Sequence, residues 1–302
     1  MRIVYLGTPH MAVPPLVALH DAGHDIVLVV SGADTRRGRG TATSPSPVKA
    51  AALELGLPVT ADPEDVLGID ADLGVVVAYG RIIKPHLLAH LPMVNLHFSL
   101  LPRWRGAAPV ERALLAGDDR TGVCVMDVEE TLDTGGVHAR VEVPIDDEVT
   151  VAELRSELVR VGGGLLVDAL ARGLGTATPQ SDVGTTYADK LRPEEFELQW
   201  DRPAVEVHRV VRLGAAWTTF RGRRLKVLAA ARPGVDGSSG DGPGDAVPAP
   251  GEVALRAGTP VVGCGDGAVL ALRRVQPEGK APMEPTAWAN GARPTAAERL
   301  GS

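Results

Sequence analysis

Cysteine is almost missing from this sequence: Cys124 and Cys264 are the only two among 302 residues, and they form no CxxC pair. A disulfide framework is therefore excluded, and a reducing, cytoplasmic setting is the expectation. Aromatic residues amount to 3% against 44% hydrophobic residues in all. A packed core is available, but Val, Leu, Ala and Ile must build it. No apolar run approaches the roughly 18–20 residues of a membrane span, and the opening MRIVYLG meets Pro9 too early for a signal peptide. A net charge of −7 excludes an overall coat of basic charge while leaving local patches open. Familiar catalytic signatures are missing too. The first strand leads into GTPHMAVP rather than G-x-G-x-x-G, which removes the pyrophosphate cradle of a dinucleotide-dependent oxidoreductase. There is no G-x-S-x-G for a serine hydrolase, and no HExxH or paired-Cys pattern for a metal, so no metal is expected.

What is present alternates. RIVYLG and DIVLVVSG are short apolar runs of the kind buried in parallel sheets. Between them PPLVALHDAG reads as a helix with proline in its first turn and Gly23 at its end. SPVKAAALELG is a helix closed by Gly56, ADLGVVVAYG a strand, PHLLAHL a short helix, VNLHFS a strand, and APVERALLAG a helix stopped by Gly117. TGVCVMDV and GVHARVEVPI are later strands. TVAELRSELVRVGGGLLVDALARG is a long amphipathic helix interrupted by three glycines, with Thr150 and Glu153 as a capping box. This alternation predicts an α/β fold with a mostly parallel, open, Rossmann-like sheet. Farther on, LRPEEFELQWDRPA reads as a linker or packing strap, VEVHRVVRLG as a short helix, and WTTFRGRRLKVLAAA as a hairpin turning at Arg221-Gly222. Residues 233–250 are poor in apolar side chains and read as a mobile loop, and PVVGCGDGAVLALRRVQ is a hairpin with a Gly-Asp-Gly turn. The expected division is a catalytic domain at 1–187, a linker at 188–205 and a small OB-like β-barrel at 206–302.

The strand VNLHFS carries the chemistry. Alternation puts Val94, Leu96 and Phe98 on one face and Asn95, His97 and Ser99 on the other. A buried parallel strand is usually apolar on both faces, and ligands of open α/β sheets lie beyond the carboxyl ends of strands. An amide and an imidazole side by side can both donate to an oxyanion forming on a carbonyl carbon, and the imidazole can exchange a proton. A carboxylate partner is needed, and MDVEETLDTGG offers Asp127, Glu129, Glu130 and Asp133. For Asp133, at the head of DTGG, a local turn or cap role stands beside a catalytic one.

NLHFSLLPRWRGAAP, with LDTGG some thirty residues on, resembles the folate-dependent formyltransferase family. YLGTPHMAVPPLVAL, AYGRIIKP and GDGAVLALRRVQPEGK extend the resemblance over nearly the whole chain. It implies that a formyl group moves from N10 of 10-formyltetrahydrofolate to the α-amino group of methionine on initiator tRNA. In that reading Asn95 and His97 polarise the formyl oxygen, and Asp133 orients His97 and helps carry the proton away. Ser99, Leu100, Leu101 and Pro102 match the segment that holds the folate, and Tyr79, Gly80, Arg81, Ile82 and Ile83 would line the pterin pocket. Phe98 departs from the glycine common among relatives, and its side chain is expected on the apolar face.

Two basic clusters suit a phosphate-rich partner. Arg36, Arg37 and Arg39 match the family's tRNA-contacting loop; Arg209, Arg212, Arg223 and Arg224 lie in the tail. Arg103 and Arg105 flank Trp104 and admit two readings: contact with the acceptor end or folate tail, or pairing with acids in the core. A monomer is expected. An amino sugar nucleotide is the alternative acceptor for the same site, with the basic loop and β-rich tail against it. A non-catalytic RNA-binding role on an inherited fold is the alternative of another class.

Overall fold

The computed structural model describes residues 1–36, 43–232, 247–256, 258–295 and 298–301. The chain forms two compact units: Met1–Ala113, Asp118–Ile145 and Glu153–Lys190 in one; Leu114–Gly117, Asp146–Ala152 and Leu191–Ser302 in the other.

The first unit runs β1 (Arg2–Gly7), α1 (Val13–Asp21), β2 (Asp25–Val30), β3 (Thr35–Arg36), β4 (Thr43–Ser44), α2 (Pro47–Glu54), β5 (Val59–Thr60), β6 (Leu73–Val77), α3 (Pro85–His90), β7 (Met93–His97) and β8 (Arg105–Gly106). It continues through most of α4 (Pro109–Ala116), β9 (Arg120–Asp127), β10 (Val137–Pro144), most of α5 (Val151–Arg172) and β11 (Tyr187–Ala188). The main sheet has the order β10-β9-β7-β6-β1-β2-β5. From β5 to β7 the pairings are parallel, whereas β9 runs antiparallel to β7, and β10 to β9. The parallel strands are the apolar runs of the sequence, buried along nearly their whole length. Helix starts follow local chemistry: proline occupies the first turn of α1, α2 and α3, and the Ser46 hydroxyl accepts the Lys49 N–H as the cap of α2.

The long helix is not interrupted: α5 passes straight through Gly162, Gly163 and Gly164. A Cβ on Gly162 would sit 3.2 Å from Val123 and 3.3 Å from Leu96, so its absence is what lets the helix lie close on β7 and β9.

The second unit holds α6 (Ala204–Arg212), β12 (Trp217–Phe220), β13 (Arg223–Ala231), β14 (Val253–Arg256), β15 (Thr259–Gly263), β16 (Val269–Pro277) and α7 (Pro285–Ala292). Its five strands form an antiparallel sheet, β12-β13-β16-β15-β14, around a core that includes Val207, Val211, Leu225, Val227, Leu270 and Leu272. This is a small barrel, with no pairing between β12 and β14 among the described residues. Arg221 and Gly222 both have positive φ, 51° and 69°, the signature of the two-residue turn expected there. Leu198 and Trp200, within the expected linker, are core members: Leu198 N–H donates to the Trp217 carbonyl and Trp200 Nε1 to Thr218 Oγ1. Helix α7 has a weak sequence signal. Pro285 in its first turn is a start signal, but Gly291 and its eight-residue length blur the periodicity; Trp288 packs edge-to-face on Phe220, 5.4 Å between centroids. Of the loop expected at 233–250, residues 233–246 lie outside the described residues. No described helix is long and apolar enough to cross a membrane.

Candidate active site

His97 closes β7, and its ring is 5% exposed. Nε2 lies 2.9 Å from the Trp104 carbonyl. A carbonyl only accepts, so Nε2 carries a proton and Nδ1 is turned toward Asp133 Oδ2, 3.7 Å away. That gap exceeds a hydrogen bond. Asn95, two residues back on the same face, reaches Asp133 Oδ1 with Nδ2 at 3.5 Å.

The Trp104 carbonyl is itself fixed. Trp104 has φ 62°, its N–H donates to Thr186 Oγ1 at 2.9 Å, and its indole Nε1 donates to Asp118 Oδ2 at 2.7 Å. Arg103 stacks over the indole at 4.6 Å and grips Asp118 with two hydrogen bonds, which push its guanidinium pKa further up. Of the two readings for Arg103, the core acid is the one the geometry realises. Arg105 pairs with no acid among the described residues: Nε and Nη2 both donate to Gln180 Oε1, at 3.0 and 2.8 Å.

Asp133 stands in the left-handed region at φ 55°, with its carboxylate 9% exposed. Oδ2 accepts the Gly106 N–H at 2.8 Å. Gly106 has φ +123°, and a Cβ there would lie 2.9 Å from the Ala188 carbonyl, so only glycine presents its N–H this way. Gly135 is equally constrained, since a Cβ would come within 2.1 Å of the Asp127 carbonyl. The DTGG turn is thus pressed against the end of β9. Gln180 Nε2 donates to the Asp133 and Gly135 carbonyls, at 2.9 and 2.8 Å.

The three side chains expected to act therefore converge. The expected folate-holding residues divide. β6 ends beside β7, with Val76 opposite Asn95, so the segment Tyr79 to Ile83 leaves the sheet next to the polar face. Tyr79 and Ile83 are buried in an apolar cluster with Leu6, Val76 and Leu87; Gly80 and Arg81 are exposed, and Ile82 is 85% exposed. The buried Tyr79 hydroxyl makes no hydrogen bond among the described residues, and burial raises its pKa against the opposing charge of the nearby Arg81 guanidinium. Ser99 is buried, donating to the Arg103 carbonyl at 2.6 Å, and Leu101 packs on Cys124 and Met126; Leu100 and Pro102 stay half-buried. Burial pushes the Cys124 thiol up to about 11, away from thiolate chemistry.

Among the basic candidates, Arg36 belongs to β3, while Arg37 and Arg39 lie outside the described residues. Arg212 is buried, and its guanidinium donates to the Val149 and Asp146 carbonyls, so it staples its own unit rather than facing solvent. Arg209 lies over Gly117, where any side chain would collide with it. Arg223 pairs loosely with Glu278 at 3.6 Å, and Arg224 stacks on the Trp217 ring at 4.0 Å. Among the described residues, no group of three or more His, Cys, Asp or Glu is placed to hold a metal ion.

Sequence reasoning missed Gln180 and the acid Asp118. Neither sits in a motif, and Gln180 is 47 residues from Asp133 in the chain.

Residues 1–170 match the formyl transferase family model, and residues 190–293 match the model of the formyl transferase C-terminal domain. The chain is 42% identical to the methionyl-tRNA formyltransferase of Methylobacterium nodulans, over 99% of each protein. It is 41% identical to that of Frankia casuarinae, covering 100% of this chain and 97% of the relative. Among solved structures, an N-formyltransferase from Helicobacter canadensis, bound to folinic acid and dTDP-3-aminofucose, superposes with a TM-score of 0.69 at 15% identity, covering 90% of this chain and 98% of that one. HypX from Aquifex aeolicus, bound to tetrahydrofolic acid, gives 0.63 at 16% identity, covering 96% of this chain and 47% of that one. These two likenesses are of fold.

Proposed function

This chain belongs to the formyl transferase family, and from that premise we propose that it transfers the formyl group of 10-formyltetrahydrofolate to the α-amino group of methionyl initiator tRNA. The single observation that carries the chemistry is the convergence of Asn95, His97 and Asp133 at the carboxyl end of β7, with a 3.7 Å gap left between imidazole and carboxylate. The relatives at 40–42% identity named for a tRNA acceptor favour that acceptor over an amino sugar nucleotide.

The donor supplies a formyl carbon bound to a nitrogen that can leave. An α-amine titrates near ~8, so a useful fraction is free base at neutral pH and no strong base is required. The protein's part is orientation and charge stabilisation. Asn95 has two N–H groups on Nδ2: one faces Asp133, and the other is available to the oxygen that becomes negative as the amine adds. Asp133 is the acceptor placed for the proton released by the amine. Asp133 passes that proton to Nδ1 of His97, which is anchored through Nε2, and the imidazolium so formed lies beside the developing oxyanion. Collapse breaks the bond from carbon to N10, and the held proton goes to N10. The product is a formamide, and no covalent bond to the protein forms.

The apolar cluster around Tyr79 and Ile83, with an unmet phenol hydroxyl inside it, fits a flat ring with an amide edge. For the tRNA, Arg224 and Arg223 in the second unit and Arg36, Arg37 and Arg39 in the first are the proposed phosphate ligands. Arg209 is the weaker candidate and Arg212 is committed to its own backbone contacts.

The test is transfer of labelled formyl from 10-formyltetrahydrofolate to initiator methionyl-tRNA. Unlabelled tRNA together with a labelled amino sugar nucleotide would select the alternative acceptor. Neutralising Arg36, Arg37 and Arg39 together is expected to flatten the salt dependence of tRNA binding, by roughly one unit of log–log slope for each phosphate no longer neutralised; an unchanged slope removes that loop from the interface.

A further inference from the structure

Asp133 is fixed in its turn by groups that have no part in the transfer. Its left-handed φ of 55° is a conformation that aspartate adopts more readily than most residues, and here neighbours hold it. Two of those contacts come from one amide. Gln180 Nε2 donates its two hydrogens to the carbonyls of Asp133 and Gly135, clasping the turn on both sides of Thr134. Gln180 Oε1 in turn receives Nε and Nη2 of Arg105. The adjoining Gly106 supplies the N–H that holds the Asp133 carboxylate. β8, only two residues long, therefore grips Asp133 twice: directly at Oδ2 and, through Arg105 and Gln180, at its main-chain carbonyl.

The chemistry of the contact is informative. Arg105 is 8% exposed, and its guanidinium meets a neutral amide oxygen rather than a carboxylate. A carboxylate in place of Gln180 would pair more strongly with Arg105. It would carry no donor for the two carbonyls. An amide is the group that accepts from a guanidinium on one side and donates to two carbonyls on the other. Its orientation is dictated by these partners, since the reverse placement would face NH₂ to guanidinium and oxygen to carbonyl.

We propose that Gln180 and Arg105 are positioning residues for formyl transfer: through the Gln180 amide they set the backbone of Asp133 and hold its carboxylate at a fixed distance from His97 and Asn95. The proposal rests on the formyl-transfer reading for its kinetic consequences but not for its structural one.

Gln180→Leu keeps the volume roughly and removes all four hydrogen bonds. Misplacing a reacting group by an ångström costs on the order of 100-fold, so kcat is expected to fall about 10- to 100-fold, with the KM for folate and for tRNA each within about 2-fold. In an Asp133→Asn background, measured by single turnover, the same change should cost less than about 2-fold, because the residue it acts through is already gone. Gln180→Glu, which retains the Arg105 contact but supplies no donor to the two carbonyls, should lose activity as fully, whereas a role confined to holding Arg105 would leave it near normal. The imidazole ¹⁵N signals of His97 should move in both Gln180 variants with no substrate present. Equal losses in the native and Asp133→Asn backgrounds, a loss confined to KM, or full activity in Gln180→Glu would each overturn the proposal, as would unmoved His97 signals. If Gln180→Leu does not fold, Gln180→Glu and the His97 signals carry the same decision. Should the unaltered protein transfer no formyl, the functional reading fails, while the His97 signals still decide whether Gln180 sets the pair.

Discussion

Two buried histidines of the first unit face aspartates, and the two pairs are built to different gaps. His138 Nε2 lies 2.7 Å from Asp127 Oδ1, and its Nδ1 lies 3.1 Å from the Leu174 carbonyl. His97 has the same kinds of partner, a carbonyl at 2.9 Å and a carboxylate, but the carboxylate stands off at 3.7 Å. The rings are about equally buried. The acids are not: Asp127 is 44% exposed and Asp133 9%. The His138 pair is closed on itself, so each ring nitrogen already has its partner. The His97 pair is kept apart by contacts made elsewhere, with Gly106 holding the carboxylate and Trp104 holding the ring. An unclosed pair in a desolvated place is available to a proton that arrives from outside.

The strongest way to break the contrast is to remove the open pair. His97→Ala or Asn95→Ala should lower single-turnover transfer by about 10²–10³, the loss expected for one proton carrier or one oxyanion donor, with the fold retained. Near-normal transfer in both would end their assigned roles. Gly135→Ala strikes the joint between the pairs, because its Cβ would press on the Asp127 carbonyl. Displacement of that turn should cost about 2–4 kcal/mol of stability and reduce transfer as well; a variant as stable as the parent by denaturant titration would contradict the packing described. His138→Ala should destabilise by about 1–3 kcal/mol, since Asp127 and the Leu174 carbonyl lose a buried partner, and lower kcat less than about 3-fold. A loss of activity matching that of His97→Ala would erase the distinction between the pairs.

A third histidine gives the smallest effect. Burial, helped by Arg212 and Arg232, lowers the His208 pKa to about 4 from 6.5, against the opposing pull of the Ala230 carbonyl it donates to. Its folded value lies below its unfolded one, so between pH 6.5 and 4 the unfolded chain binds more protons and stability falls as pH falls. Above pH 6.5 the ring has no such effect. His208→Gln should flatten the thermal midpoint across that window; an unchanged slope would show that another group controls it.

The polar face of β7 was legible because strand alternation needs nothing but the strand itself. Asn95 and His97 share a side by period, whatever surrounds them. Asp133 was ambiguous from its residues alone, as an acid in a Gly-rich turn can serve the turn only, and its place came from resemblance. Gln180 was invisible, lying 75 residues from Arg105 in the chain. The three glycines of α5 misled for the same reason, since the reason for Gly162 lies on β7 and β9. Arg212 looked like its basic neighbours until its burial was known.

By itself the sequence determined the order of the longer strands and of helices α1 to α6, the polar side of β7, the turn at Arg221-Gly222 and the want of thiol or metal signatures. These follow from local propensity and period, which act over a few residues. Tertiary structure alone decided how wide the gap between His97 and Asp133 stays, what holds the carboxylate there, and which arginines turn inward. Those outcomes depend on contacts between residues tens of positions apart, and no spacing along a chain encodes a distance across it.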